Sequence, residues 1–593
     1  MNLAKACFTH NCCARLQDGQ TSTWRWFRLT GFLLLICAKA FAGSKAPLLI
    51  AYFVPSDRAP IAGYADRLDR VMIEVQGFYR KGMEAAGYGP LTFDLPRDKA
   101  GNLEIQAVRG KEPMHAYGRE DSSKVRAEVA AALEEKGVQV NDRTLVIFEA
   151  LLEWRDGRAI EVGPYVGSGG HLAGTAWVYD DPLMDPRQLG SKNPGGYYGG
   201  PCTVGAFNSH YIGGVAHELG HALGLPHVAG PRSNPRHSLM GDGNHTYGEE
   251  LRGEGAGTYL HPASAMLLVK CHPFAGEIEG ARLPAACELK SMEGSFSDGQ
   301  LILAGQLECQ PPAFGLIAYN DSLNIQGDYD AKGWTSAVDS SGRFRLAMGE
   351  LEPGPYELRL GVCHANGFVS SFSFEYTVNP LGTPDLKPFS PVVFLLKRAV
   401  AAYGRRDTKQ VETLTGEIVK RTPEAEELVH QARHLRTLLR PSAPQSLAAV
   451  PADQKRVGIS GLQFVEQSVG WGWPLRDQVL MEGASTCFLQ VDGRFHDRGL
   501  FAHAPSKYVL DLQDGWKRFT SGYGLQDGHS GSVIFVLRGN GRELFRSERV
   551  IDHRLHSMDL DVSGINRLEL MVEDAGDGGN SDWGVWIAPT LKR

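Results

Sequence analysis

A chain of 593 residues exceeds what one hydrophobic core can serve and predicts about three to five domains. Its 42% hydrophobic and 22% charged residues fit a soluble globular protein and argue against a disordered or membrane-embedded one. A formal net charge of -7 with no basic run argues against nucleic acid as a partner. The 70 glycines exceed the usual share of about 7% and predict many turns and short strands.

Arg25 and Arg28 precede the apolar run LTGFLLLICA, Leu29 to Ala38, and small residues follow at Ala40 and Ala42. This predicts a signal peptide over residues 1–42, cleaved after Ala42. The run is shorter than the roughly 20 residues that span a bilayer. A secreted or extracytoplasmic chain, cell surface included, with no transmembrane span after cleavage is therefore expected. Six cysteines remain beyond residue 42, which permits disulfides in an oxidising compartment. Pairing within a domain predicts Cys202 with Cys271 and Cys309 with Cys363, and leaves Cys487 as a buried thiol.

Residues 46–280 alternate strands and helices, as in a mixed α/β domain. Pro47 to Val54 reads as a buried strand, and Arg70 to Gly89 as an amphipathic helix ending at glycine. LTFDL and LEIQAV read as strands, SSKVRAEVAAALEEKG as a helix, and RTLVIFEAL as a further strand. A glycine-rich segment leads to VAHELGHALGLPH, Val215 to His227.

A catalytic zinc site needs three protein ligands and one open position. His217 and His221 are four apart and project from one helix face, and Glu218 can lean over the metal without binding it. Gly224 tolerates left-handed angles, so it can end the helix and bring His227 beneath the metal. HELGHALGLPH, with Met240 in HSLMG downstream, resembles the metzincin zinc endopeptidases. The resemblance implies one catalytic Zn2+ on His217, His221 and His227, Glu218 as general base and Met240 as an apolar floor. It also implies a substrate-pairing edge strand, for which His171 to Tyr179 is the candidate, and a closing helix over Ser264 to Cys271. Val228 follows the third histidine and no tyrosine stands two after Met240, so a fifth tyrosine ligand is not supported. His210, His237, His245 and His261 read as exposed or core residues.

Residues 286–380 carry short alternating runs separated by turns and predict an immunoglobulin-like β-sandwich, with a spacer role as the simplest reading. Residues 385–450 read as a helical segment followed by a Pro/Ala/Ser-rich linker. From residue 457 to 593 the pattern is β again. GRFHDRGLFAHAPSKYVLDL, FTSGYGLQDGHSGSVIFVLRGNGRELFRS and DAGDGGNSDWGVWIAP resemble the NPCBM family of carbohydrate-binding β-sandwiches. His503, Trp583 and Trp586 are the candidate sugar contacts, since a sugar needs an aromatic face and polar groups for its hydroxyls. Asp527, Asp574, Asp577 and Asp582 lie nearby, and the acidic glycine-rich turns read either as solvated or as holding a structural Ca2+.

The combined expectation is a multidomain, metzincin-like zinc peptidase acting on polypeptide or glycoprotein, with carbohydrate bound through its last domain. The alternative is a non-catalytic carbohydrate- or surface-binding protein with an inactive zinc domain. An intact Glu218 speaks against that alternative, because a structural site needs no base. Glycan hydrolysis would require a flanking carboxylate pair, and none is evident in residues 46–280.

Overall fold

The computed structural model describes residues 45–325, 329–481 and 486–593, all within the unit Gly43–Arg593. The signal peptide expected over residues 1–42 lies outside them.

The order is β1 (Leu49–Val54), α1 (Tyr64–Ala85), β2 (Gln106–Arg109), α2 (Ser122–Glu135), β3 (Thr144–Glu149) and the hairpin β4–β5 (Leu152–Arg155, Arg158–Glu161). β6 (Val166–Gly169), β7 (Gly174–Tyr179), the hairpin β8–β9 (Pro194–Tyr197, Pro201–Thr203) and α3 (Val204–Ala222) follow. Every residue of β1 and β3 is buried, the pattern of strands covered on both faces. β2, β1, β3 and β7 pair in parallel and β6 adds antiparallel at the margin, giving the order β2-β1-β3-β7-β6. α3 packs on β7 and β6. LTFDL forms no strand and the LEIQAV strand begins only at Gln106, so the sheet is narrower there than its apolar runs suggest.

The strand HLAGTAWVY was expected to form the sheet edge. Instead β7 is interior, and the edge is β6, whose VGSG sequence carries no alternating signal. Its glycines allow the approach to α3: a Cβ at Gly167 would stand 1.9 Å from Glu218 O. Beyond α3 come β10 (His237–Ser238), β11 (Thr258–Tyr259), α4 (Pro262–Leu268), which overlaps the helix expected over Ser264 to Cys271 but ends at Leu268, and α5 (His272–Ala275).

Seven strands then form two facing sheets: β12 (Ala286–Ser297), β13 (Gln300–Gln310), β14 (Ala313–Ser322), β15 (Lys332–Ala337), β16 (Arg343–Met348), β17 (Gly354–His364) and β18 (Val369–Val378). The orders are β12-β13-β16 and β15-β14-β17-β18, and alternate residues such as Leu303, Leu346, Leu316, Leu360 and Phe374 fill the core between them. Neither predicted disulfide forms. Cys309 faces Cys287 across the β12–β13 register with sulfurs 2.7 Å apart, while Cys363 is buried as a free thiol. Cys202 and Cys271 are also free, and the Cys271 thiol approaches Leu223 O at 3.6 Å.

Three helices follow, α6 (Pro391–Gly404), α7 (Thr408–Arg421) and α8 (Glu426–Leu439). They do not float as a tether: Leu396, Ala399, Leu414 and Leu435 share one core with Cys487 and Phe488. The predicted linker is also docked, because Leu447 and Val450 enter the core of the final module. Proline and alanine dominate its composition, so two anchoring aliphatic residues are easy to overlook. The final module has two sheets. One contains Gly499–Phe501, Arg518–Leu525, His556–Asp561 and Gly584–Lys592, the other Ser506–Asp511, Ile534–Gly539 and Arg567–Glu573. Tyr508, Phe519, Leu537 and Leu570 fill the space between. No helix among the described residues is long and apolar enough to cross a membrane.

Candidate metal centre and sugar-facing module

α3 starts where Thr203 accepts a hydrogen bond from the Ala206 N–H at 3.1 Å, an N-cap that satisfies an otherwise orphaned donor. The helix then runs through the core rather than along the surface, with small residues where neighbours press closest. At Gly220 a Cβ would stand 2.4 Å from the Met240 sulfur. The helix ends at Ala222, and Gly224 takes a left-handed φ of 85° while the Leu225 N–H returns to Gly220 O at 3.0 Å. That reversal brings His227 back towards the helix.

His221 Nε2 lies 3.1 Å from Nε2 of both His217 and His227. The other ring nitrogens explain the orientation. His217 Nδ1 donates to Leu239 O at 2.7 Å, and His221 Nδ1 donates to Leu225 O at 2.9 Å. A carbonyl can only accept, so the hydrogen-bond network assigns the proton to Nδ1 and leaves the Nε2 lone pair facing inward. Burial first, then the neighbouring His221, pushes the pKa of His217 down to about 3, so the ring is neutral. Uncharged nitrogen lone pairs facing one another at this distance repel unless they share a cation. Three ligands at about 2.0–2.1 Å from zinc in tetrahedral geometry require a nitrogen spacing of roughly 3.3 Å, close to what the chain provides. The donor set therefore fits zinc.

Glu218 is nearly buried in the same cleft, and burial raises its pKa to about 7, partly offset by a hydrogen bond from the Gly167 backbone N–H. Met240 is fully buried. Its carbonyl accepts from the Val228 N–H at 3.0 Å, and the preceding Leu239 carbonyl holds His217. One short segment thus braces the first histidine and the loop of the third.

The cleft has a volume of about 590 Å³. Sequence reasoning missed part of its lining. His210 and His245 face it, with Nδ1 atoms 3.3 Å apart, Tyr198 stacks on His210 at 3.5 Å, and Glu161 lies 3.6 Å from His210 Nε2. A signal existed: His210 precedes His217 by seven residues, two helical turns on one face. His237 instead pairs with Asp242 at 2.9 Å on the surface, and His261 caps α4. A second grouping, Cys287, Cys309 and His364, also lies within ligand spacing. There both His364 nitrogens are engaged, with Pro311 O at 2.9 Å and Ser370 Oγ at 2.8 Å, which leaves no lone pair for a metal.

In the final module, Trp471, His503 and Trp583 line an open depression of about 450 Å³ together with Gly579, Asn580 and Ser581. His529 stacks on Trp583 at 3.9 Å. Residues 455–592 match the NPCBM/NEW2 domain.

Within the NPCBM domain, Trp586 is not a sugar contact: it is fully buried, packed edge-on against Phe535 at 5.1 Å. Trp583, just before the Gly584–Lys592 strand, is buried too but lines the floor of the depression. Trp471, 40% exposed, supplies the aromatic surface that Trp586 does not. The aspartates of the acidic turns are held by local hydrogen bonds. Asp577 takes hydrogen bonds from Ser532 and Arg549, Asp582 accepts from the Ser532 N–H at 2.8 Å, and no acidic group with ligand spacing occurs among the described residues.

No curated protein matches the chain. Among solved structures, wild-type OgpA from Akkermansia muciniphila is similar at 24% identity over 56% of this chain and 94% of its own, with a TM-score of 0.49. Catalytically inactive OgpA in complex with an O-glycopeptide substrate is similar at 25% identity, over 56% and 94%, with a TM-score of 0.48. The M60 catalytic domain with two CBM51 domains of Clostridium perfringens ZmpB is similar at 13% identity over 93% of this chain and 63% of its own, with a TM-score of 0.21.

Proposed function

We propose that this chain is a secreted zinc-dependent endopeptidase of metzincin-like type, with residues 46–280 as its catalytic domain and its NPCBM domain holding it to glycoproteins or carbohydrate-bearing surfaces. The observation that carries the reading is the convergence of three imidazole Nε2 atoms beside a buried carboxylate. His217, His221 and His227 would hold the ion. When bound, zinc supplies Lewis acidity, which makes a water more acidic and a carbonyl more electrophilic.

Glu218 does the proton work. Its burial favours the protonated form, so the carboxylate is a stronger base than an exposed one. It accepts the proton of the attacking water and delivers it to the leaving amine nitrogen as the peptide bond breaks. The edge strand β6, with Val166 in the cleft wall, offers backbone groups to an extended polypeptide. Trp471 offers an exposed apolar face to a sugar ring, backed by the buried Trp583, and tethering there raises the local concentration of substrate without altering the catalytic groups.

The test is zinc content and cleavage of a mucin-type glycoprotein by the chain beginning at Gly43, compared with Glu218→Ala. Stoichiometric zinc in both proteins and cleavage lost in the variant support the peptidase. Zinc in both with no cleavage by either favours the alternative, a carbohydrate-binding protein with an inactive zinc domain.

A further inference from the structure

The loop that carries His227 is held from outside the catalytic domain. Two residues past His227, the Ala229 N–H donates to Ala331 O at 2.8 Å, and Ala229 pairs with Lys332 in a parallel bridge at the start of β15. Further along, the Arg232 and Ser233 N–H groups donate to the Glu350 carboxylate at 2.6 and 3.3 Å. Arg232 and Lys332 both reach Glu352 at 2.8 Å. The fit is close enough that a Cβ at Gly333 would stand 2.5 Å from Val228 and 2.8 Å from His261.

Just before β15, Tyr329 lays its ring over His227, with centroids 3.7 Å apart and planes 28° from parallel. It lines the same cleft as His217 and Glu218. The geometry matters chemically. Stacking uses the π face of the imidazole, whereas the Nε2 lone pair lies in the ring plane. Tyr329 can therefore fix the plane of His227 without competing for its nitrogen. His217 and His221 donate hydrogen bonds to carbonyls of their own domain, and the sandwich adds the Tyr329 ring contact on His227.

We propose that Tyr329 is a positioning residue for His227, and that the β-sandwich is a working part of the metal centre rather than a spacer. The inference rests on the zinc-peptidase reading above. Separating the sandwich from the catalytic domain would free the third ligand's loop and remove one wall of the cleft.

The experiment is chelator-driven zinc release from the zinc-loaded full chain, followed with a chromophoric chelator, for the parent, Tyr329→Ala, Tyr329→Phe and Glu350→Ala. The melting temperature of each zinc-free protein is measured alongside. The expected result is release about tenfold faster in Tyr329→Ala, the size of effect typical of groups that orient a ligand. Tyr329→Phe, which keeps the ring, should release at the parent rate, and Glu350→Ala, which loosens the loop, should release faster. Zinc-free melting temperatures should match for the two Tyr329 variants. Parent-like release from Tyr329→Ala overturns the inference while leaving the peptidase reading intact. A melting temperature lowered in proportion to the release rate also overturns it, by making Tyr329 a general stabiliser. A parent chain that binds no zinc overturns both.

Discussion

Glu149 ends β3 with its carboxyl fully buried, and neither oxygen has a hydrogen-bond partner. Burial raises its pKa well above the ordinary 4.5. An acid whose folded pKa is raised keeps a proton that the unfolded chain gives up, so its contribution to stability is present below about 4.5 and is lost as pH rises. Glu149→Gln removes that loss. Its melting temperature should exceed the parent's at pH 7 and converge with it below about pH 4. An identical difference at both pH values would contradict this assignment. Gly224 is the other single residue on which the site turns, since its φ of 85° is combined with a Cβ position 2.9 Å from Gly170 Cα. Gly224→Ala should cost at least about 1–2 kcal/mol from left-handed strain alone and weaken zinc retention, measured by denaturant unfolding and metal analysis. His217, Glu218, His221, Gly224 and His227 stood out in the sequence because their spacing follows one helix and one turn, whereas Met240 was singled out only through the family resemblance. Tyr198 and Glu161 did not stand out, because they reach the cleft from separate hairpins.

Among the elements, β6 lies closest against the histidine helix at its glycines. Gly167→Ala would force a methyl group against Glu218 O, a backbone atom that cannot step aside. The expected outcome is destabilisation of about 3 kcal/mol and loss of cleavage, read from denaturant midpoints and a peptide assay; parent-like behaviour in both would show that β6 does not need its close packing. The apolar runs of β1, β3 and β7 and the periodicity of α1 and α2 made those elements legible. The edge assignment went to the wrong strand because a glycine-rich edge has no hydrophobic alternation to read. α7 falls within the segment read as helical, but its own signal is weaker, since only Val411, Leu414 and Ile418 of its aliphatic positions are well buried, among many polar residues.

Across the whole molecule, the modules interlock through surfaces that composition does not reveal. Glu350 and Glu352 bind a loop more than a hundred residues earlier in the chain, and Leu447 anchors what reads as linker. The aromatic depression of the NPCBM domain lies outside the metal centre, so its loss should separate binding from chemistry. Trp471→Ala should weaken retention on an immobilised glycoprotein by about tenfold or more while hydrolysis of a short unglycosylated peptide stays unchanged. An equal fall in both would show that Trp471 also acts on the catalytic domain. The most direct measurement is cleavage of a mucin-type glycoprotein by the zinc-loaded chain and by Glu218→Gln, with zinc counted in both. A peptidase with Glu218 as its base predicts one zinc per chain in each protein and a rate about 10²–10⁴ lower in the variant. Equal rates would contradict it.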